Sequence, residues 1–157
     1  MKNHKGFSLI ELLIVVAIIL IISAIAIPSY MRSRMQANEA SAVSSLRMIN
    51  TAAITYSSTY QDVGYPPTLA SMGGVAPCTP TSTSACMLDE TIAQGTKSGY
   101  AFVWTPDGLT PSVAYWVTAT PLKVGGSGQR MFCTDQSGVT RFDPSGAGCG
   151  LSSTPVQ

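Results

Sequence analysis

The chain has 157 residues, 45% of them hydrophobic and only 11% charged, with Lys and Arg at 9 against Asp and Glu at 8. So neutral a balance carries no basic stripe of the kind nucleic acid requires, and no nucleic-acid partner is expected. His4 is the one histidine, which leaves nothing beyond residue 4 to build a Ser-His or Cys-His catalytic pair, so the chain is not expected to be an enzyme.

The first element is a short basic leader, Lys2, His4 and Lys5, ending at Gly6. By the positive-inside rule this flank stays cytoplasmic. From Leu9 to Ile27 the sequence then runs through 19 residues in which Glu11 is the single charge. Such a run matches the ~20 residues a helix needs to cross the hydrocarbon core of a bilayer. A carboxylate inside it is unfavourable and demands compensation. A cut between Gly6 and Phe7 would remove the leader and leave a cationic α-amine on Phe7, four residues before Glu11, within one chain or between neighbouring chains. Glu11 is on this reading an assembly residue.

Gly6, Phe7, Ser8, Leu9, Ile10 and Glu11 resemble, in order, spacing and position, the prepilin signature of the type IV pilin and type II secretion pseudopilin superfamily. That resemblance implies cleavage after Gly6 by a prepilin peptidase, N-methylation of Phe7 by the same class of enzyme, and polymerisation as a homo-oligomeric helical filament with the apolar helices in its core. It also implies an inner-membrane assembly platform as partner. The chain would be a single-pass inner-membrane protein before assembly, and part of an extracellular pilus or a periplasmic pseudopilus afterwards. Glu11 would neutralise the amine of Phe7 in an adjacent subunit. A secretion pseudopilin shares this physics, and an uncleaved membrane-anchored binding domain is the reading from another class. An ordinary signal peptide fits poorly, because its apolar region is shorter and a small-residue cut site follows it.

Pro28 ends the apolar run and predicts a kink or local unwinding, since proline lacks the N–H and crowds the preceding turn. The helix is expected to continue to about Tyr60 on a stripe of Ala37, Ala40, Val43, Leu46, Ile49, Ala53, Tyr56 and Tyr60. Arg32, Arg34, Gln36, Asn38, Glu39, Arg47 and Asn50 are assigned to the opposite, polar faces. Tyr30, Tyr56 and Tyr60 read as packing residues rather than as a conducting stack. Asp62-Val63-Gly64-Tyr65-Pro66-Pro67 stops the helix, with Gly64 free to take a left-handed conformation.

About 95 residues remain, enough for one small domain. The organisation expected is a leader at 1–6, an apolar membrane or filament-core helix at 7–28, an amphipathic second half at 29–62 and a globular domain at 63–157. A loop rich in Pro, Gly, Ser and Thr holds one short helical turn near Leu88 to Gln94. Strands are predicted at Tyr100 to Thr105, Val113 to Thr120, Arg130 to Thr134 and Val139 to Phe142, the last two as a hairpin. The fold class is α+β: a long N-terminal helix packed on a small antiparallel sheet of about four strands, pilin-like. Trp104, Trp116, Phe132 and Phe142 are expected in its core or on its faces.

Cys78, Cys86, Cys133 and Cys149 all follow the spanning run and would sit in an oxidising compartment, where disulfides are the expected state. Three pairings exist; the sequence-local one, Cys78 with Cys86 and Cys133 with Cys149, is favoured because each pair brackets a loop rich in small and turn-forming residues. The second of these also resembles the C-terminal disulfide loop of many pilins. Zinc is disfavoured, since no C-x-x-C spacing exists. Asp135 and Asp143 are weak calcium candidates, two carboxylates where such sites want six to eight oxygens. Gly125-Gly126-Ser127-Gly128 is neither a phosphate loop nor a nucleophile elbow, and no cofactor is expected.

Overall fold

A computed structural model describes residues 7–156. Its first element, α1 (Leu9–Thr59), is one uninterrupted helix that passes through Pro28. The local unwinding expected there does not occur. Proline removes one N–H from the ladder, and helical hydrogen bonding continues on both sides of it. Two compact units divide the chain within α1, one ending at Arg34 and one beginning at Met35.

In the second unit, residues 35–156, the remainder of α1 packs on a six-stranded antiparallel sheet whose strands follow chain order. These are β1 (Thr96–Lys97), β2 (Tyr100–Pro106), β3 (Tyr115–Pro121), β4 (Met131–Asp135), β5 (Arg141–Asp143) and β6 (Thr154–Pro155). Register is fixed along β2 and β3 from Tyr100↔Pro121 to Pro106↔Tyr115, and carried to β4 by Ala119↔Phe132 and Trp116↔Asp135. The alternation of β3, buried at Tyr115, Val117, Ala119 and Pro121, is that of a half-covered antiparallel strand. Leu46, Ile49, Ala53 and Tyr56 of α1 meet Tyr100, Phe102, Val117 and Phe132 of the sheet in one core, which Met72 and Ile92 complete.

Six strands replace the four expected because β1 and β6 have two residues each, too few to show a period. Ser98 and Gly99, both with positive φ, make the two-residue turn that pairs Lys97 with Tyr100. β3 starts two residues later than predicted. The N–H groups of Val113 and Ala114 both go to the Asp107 carboxylate (2.9 and 3.0 Å), which takes them out of the ladder and into the β2–β3 loop. Likewise β5 begins at Arg141 rather than Val139. The short helix α2 (Glu90–Ala93) starts where Asp89, its N-cap, accepts the N–H of Ile92 at 3.0 Å.

α1 ends at Thr59, and Gly64 lies a turn beyond it. With φ of +76°, Gly64 closes a turn on Tyr60 O and bridges to Ser112 of the β2–β3 loop. In the last turns of α1 the hydroxyls of Thr51, Thr55, Ser58 and Thr59 each donate to the carbonyl four residues back, at 2.8–3.0 Å.

Candidate functional site

The segment from Phe7 to Ile27 is the first candidate, and Ser8 and Glu11 set its start. The backbone N–H of Ser8 donates to the Glu11 carboxylate at 3.0 Å, while Ser8 O accepts the first helical bond, from Leu12 N. This is one half of a capping box, in which the third helical residue reaches back to the cap. The pattern Ser8-x-x-Glu11 was available as a signal in the sequence, and Ser8 is the residue whose part it would have revealed. A carboxylate here also meets the positive end of the helix dipole. Beyond it every apolar side chain from Leu9 to Ile27 is exposed, and Phe7 is 84% exposed. The stretch is long and apolar enough to cross a membrane. Gly6 and the leader lysines lie outside the described residues.

A second constellation fixes the sheet to α1 within residues 35–156. Glu39, 5% exposed, accepts the backbone N–H groups of Gln129 and Arg130 at 2.8 and 3.1 Å and the Arg130 Nε at 2.8 Å. The Arg130 Nη2 lies 2.7 Å from the same carboxylate, and its guanidinium stands over the rings of Phe132 and Phe142. Burial pushes the Glu39 carboxyl up, but the two backbone amides and the guanidinium outweigh it, and the net effect is a lowered pKa. About three turns further along α1, Asn50 donates to Thr134 Oγ1 at 2.8 Å and accepts from the Tyr115 hydroxyl at 3.0 Å, all of it buried.

Residue type puts Glu39 and Asn50 on the polar faces of α1 that meet water or neighbouring subunits, and the structure buries both. Ala37 and Ala40, assigned to the packed stripe, are exposed. The inward face runs through residues 39, 42, 46, 49, 53 and 56, spaced three and four apart, so periodicity alone places Glu39 inside. Its charge argued the other way. An ion pair with three further hydrogen bonds makes that burial tolerable.

Cys78–Cys86 and Cys133–Cys149 are disulfides, with Cα–Cα separations of 6.1 and 5.8 Å. The first closes a loop onto which α1 docks through the Tyr56 hydroxyl, donated to Ser82 O at 2.5 Å. The second ties β4 to the segment after β5. Asp135 and Asp143 are not brought together. β4–β5 register sets Asp143 opposite Met131, four residues along the strand from Asp135, and each carboxylate is spent on its own turn. Asp135 accepts from Ser137 N at 2.9 Å, and Asp143 from Ala147 N at 3.0 Å and Gly148 N at 3.3 Å. Among the described residues no three His, Cys, Asp or Glu side chains are placed to hold a metal ion.

Residues 1–27 match the family model described as the prokaryotic N-terminal methylation motif. Over 39 residues the chain is 56% identical to the "Type IV wide pilus major component PilA4" of Thermus thermophilus, a stretch that is 25% of this chain and 30% of that protein. Over 53 residues it is 53% identical to a "Fimbrial protein" of Pseudomonas aeruginosa, 34% of each chain. A second fimbrial protein of that organism matches equally. The chain thus spans about a third of the length of the curated relatives it matches. No solved structure matches it. What these likenesses share with the geometry above is an apolar helix that carries the type IV pilin signature at its start.

Proposed function

We infer that this chain is a structural subunit of a type IV pilus-like filament, held in the inner membrane by Leu9–Ile27 and polymerised through the same segment. The observation that carries the reading is the exposed apolar helix bearing one carboxylate three residues inside its cap, at the position the methylation motif covers. In water such a surface is untenable. Lipid covers it before assembly, and copies of itself cover it afterwards.

Maturation removes residues 1–6 after Gly6 and methylates the amine of Phe7. A prepilin peptidase and an inner-membrane platform are the partners this requires. Within a single chain Glu11 is engaged by the N–H of Ser8. In the filament it accepts the cationic amine of Phe7 from a neighbour, so that a misplaced subunit leaves an unneutralised carboxylate in an apolar core. Such a carboxylate costs several kcal/mol, on the order of the penalties for removing one partner of a buried ion pair. The registry of the filament rests on that penalty.

Mass spectrometry of the N-terminal peptide, from sheared extracellular fibres and from inner membranes in parallel, tests the reading. An N-methylated peptide beginning at Phe7 and abundant in fibres is expected. The same peptide confined to membranes would replace the pilus by a secretion pseudopilus, and a chain still beginning at Met1 would overturn polymerisation. Glu11→Ala, expressed without wild-type subunits, is expected to be cleaved yet to form no fibres.

A further inference from the structure

The helix changes character immediately after Ile27. Pro28-Ser29-Tyr30-Met31-Arg32-Ser33-Arg34 places a phenol and two guanidinium groups within two turns of the last residue of the apolar run. Tyr30 is 66% exposed, and Arg32 and Arg34 are exposed as well. Among the described residues the ion pairs are Lys97–Asp89 and Arg130–Glu39, so neither arginine has a carboxylate partner there. α1 itself holds no acidic residue between Glu11 and Glu39.

Length sets the depth of these groups. At 1.5 Å per residue the run from Leu9 to Ile27 covers about 28 Å, close to the ~30 Å hydrocarbon core. Tyr30 then lies about 4–5 Å past the core, and Arg32 and Arg34 about 7–10 Å past it, at the level of the lipid phosphates. Tyrosine is enriched at that boundary because its ring is apolar and its tip polar, and a guanidinium pairs with phosphate through two parallel hydrogen bonds.

Angular placement identifies the occupant. Two residues apart on a helix, Arg32 and Arg34 project about 200° apart around the axis. A protein partner docking on one face would favour charges three or four residues apart. Charges on opposite faces suit a surrounding that contacts the helix from every side, which for the unassembled single-pass subunit is lipid.

We propose that Tyr30, Arg32 and Arg34 form a collar that binds anionic phospholipid headgroups in the leaflet opposite the N-terminus. The collar fixes the depth of the unassembled subunit, and extraction into a filament must release those lipids. The inference rests on the membrane-inserted reading above.

The test uses the full chain reconstituted into vesicles of equal parts phosphatidylcholine and phosphatidylglycerol, with spin-labelled versions of each lipid. Insertion is checked first by resistance to alkaline carbonate extraction. In a K2Q/K5Q background, which silences the basic leader at the other face, the fraction of motionally restricted lipid is expected to favour phosphatidylglycerol by at least about twofold, and to fall toward unity when R32Q/R34Q is added and at molar salt. Equal restriction of both lipids by the inserted K2Q/K5Q chain, or a preference that survives the added R32Q/R34Q, overturns the collar and leaves the membrane reading standing. A chain extracted by carbonate overturns both. If R32Q/R34Q abolishes self-association while lipid preference is absent throughout, the arginines serve a second copy of this chain and the proposal is wrong.

Discussion

Glu39 of α1 holds Arg130 by both its backbone and its side chain: the carboxylate accepts the Arg130 N–H at 3.1 Å and Nε at 2.8 Å, with Nη2 at 2.7 Å. Because the same carboxylate also takes the N–H of Gln129, one side chain on the helix satisfies the loop that leads into β4. Hydrogen bonds to a charged acceptor contribute more than neutral ones, about 1.5–3 kcal/mol. Glu39→Gln keeps the shape and removes the charge. It is expected to lower unfolding free energy by about 2 kcal/mol in denaturant titrations of the full chain in detergent.

The same carboxylate gives stability a pH dependence. Its pKa is lowered in the folded state, so its stabilisation is complete above the ordinary carboxylate range and is lost as pH falls through the folded value. Asp107, held down to about 2 by the N–H of Val113 foremost, and Asp89, lowered by Lys97 foremost, shift in the same direction. Both are exposed enough for solvent to screen their contribution. Wild-type melting temperature should therefore fall between neutral pH and about pH 3, and Glu39→Gln should show a visibly shallower fall.

Asn50 bridges Thr134 and Tyr115 in the core. Asn50→Ala strands two hydroxyls in a dry site and should cost about 2–3 kcal/mol, read by the same titration. Burial raises the pKa of Tyr115, and that of Tyr100, above the ordinary value of 10.0. The unfolded chain ionises first as pH rises, so stability should begin to fall above about pH 10. Tyr115→Phe is expected to lose the Asn50 hydrogen bond at neutral pH and to soften that alkaline decline; a decline as steep as in the wild type would place its origin elsewhere.

Sequence separations of 8 and 16 residues make the two disulfides comparable in their chain-entropy effect. Removing Cys78–Cys86 as a double serine variant should cost about 2.5 kcal/mol, and removing Cys133–Cys149 about 3 kcal/mol. Thermal melting of the two variants, with and without reductant for the wild type, checks both figures.

Gly64 sits where a Cβ would lie 2.1 Å from Ser112 O and 2.6 Å from Ser112 N, at a positive φ. Gly64→Ala must push the β2–β3 loop away from the end of α1. A loss of about 1–3 kcal/mol is expected from the overpacking alone. Gly108, also at positive φ but with open space around it, makes the paired control. Its alanine variant meets only the backbone strain.

The legible parts of this chain were those written in repetition or in chemistry out of place. Leu9–Ile27 announces itself by length, Glu11 by being the one charge within it, and β2 and β3 by alternation. Residue type points Glu39 and Asn50 outward against their own periodicity, whereas a carboxylate with four donors is at home inside. Val113 and Ala114 looked like strand until Asp107 claimed their amides, a competition between side chain and ladder that no window of hydropathy records. β1 and β6 are visible only as partners of longer strands.

The hydroxyls that close back on the last turns of α1 give that face an unusual surface chemistry. Thr51, Thr55, Ser58 and Thr59 carry oxygen outward while their protons are already committed to carbonyls of their own helix. Covering such a face strips away little hydration that must be replaced, and it offers a neighbour no donor in a fixed direction. Any specificity for a partner on this side of α1 must therefore come from the side chains between those hydroxyls, among them Arg47, Met48 and Ile54.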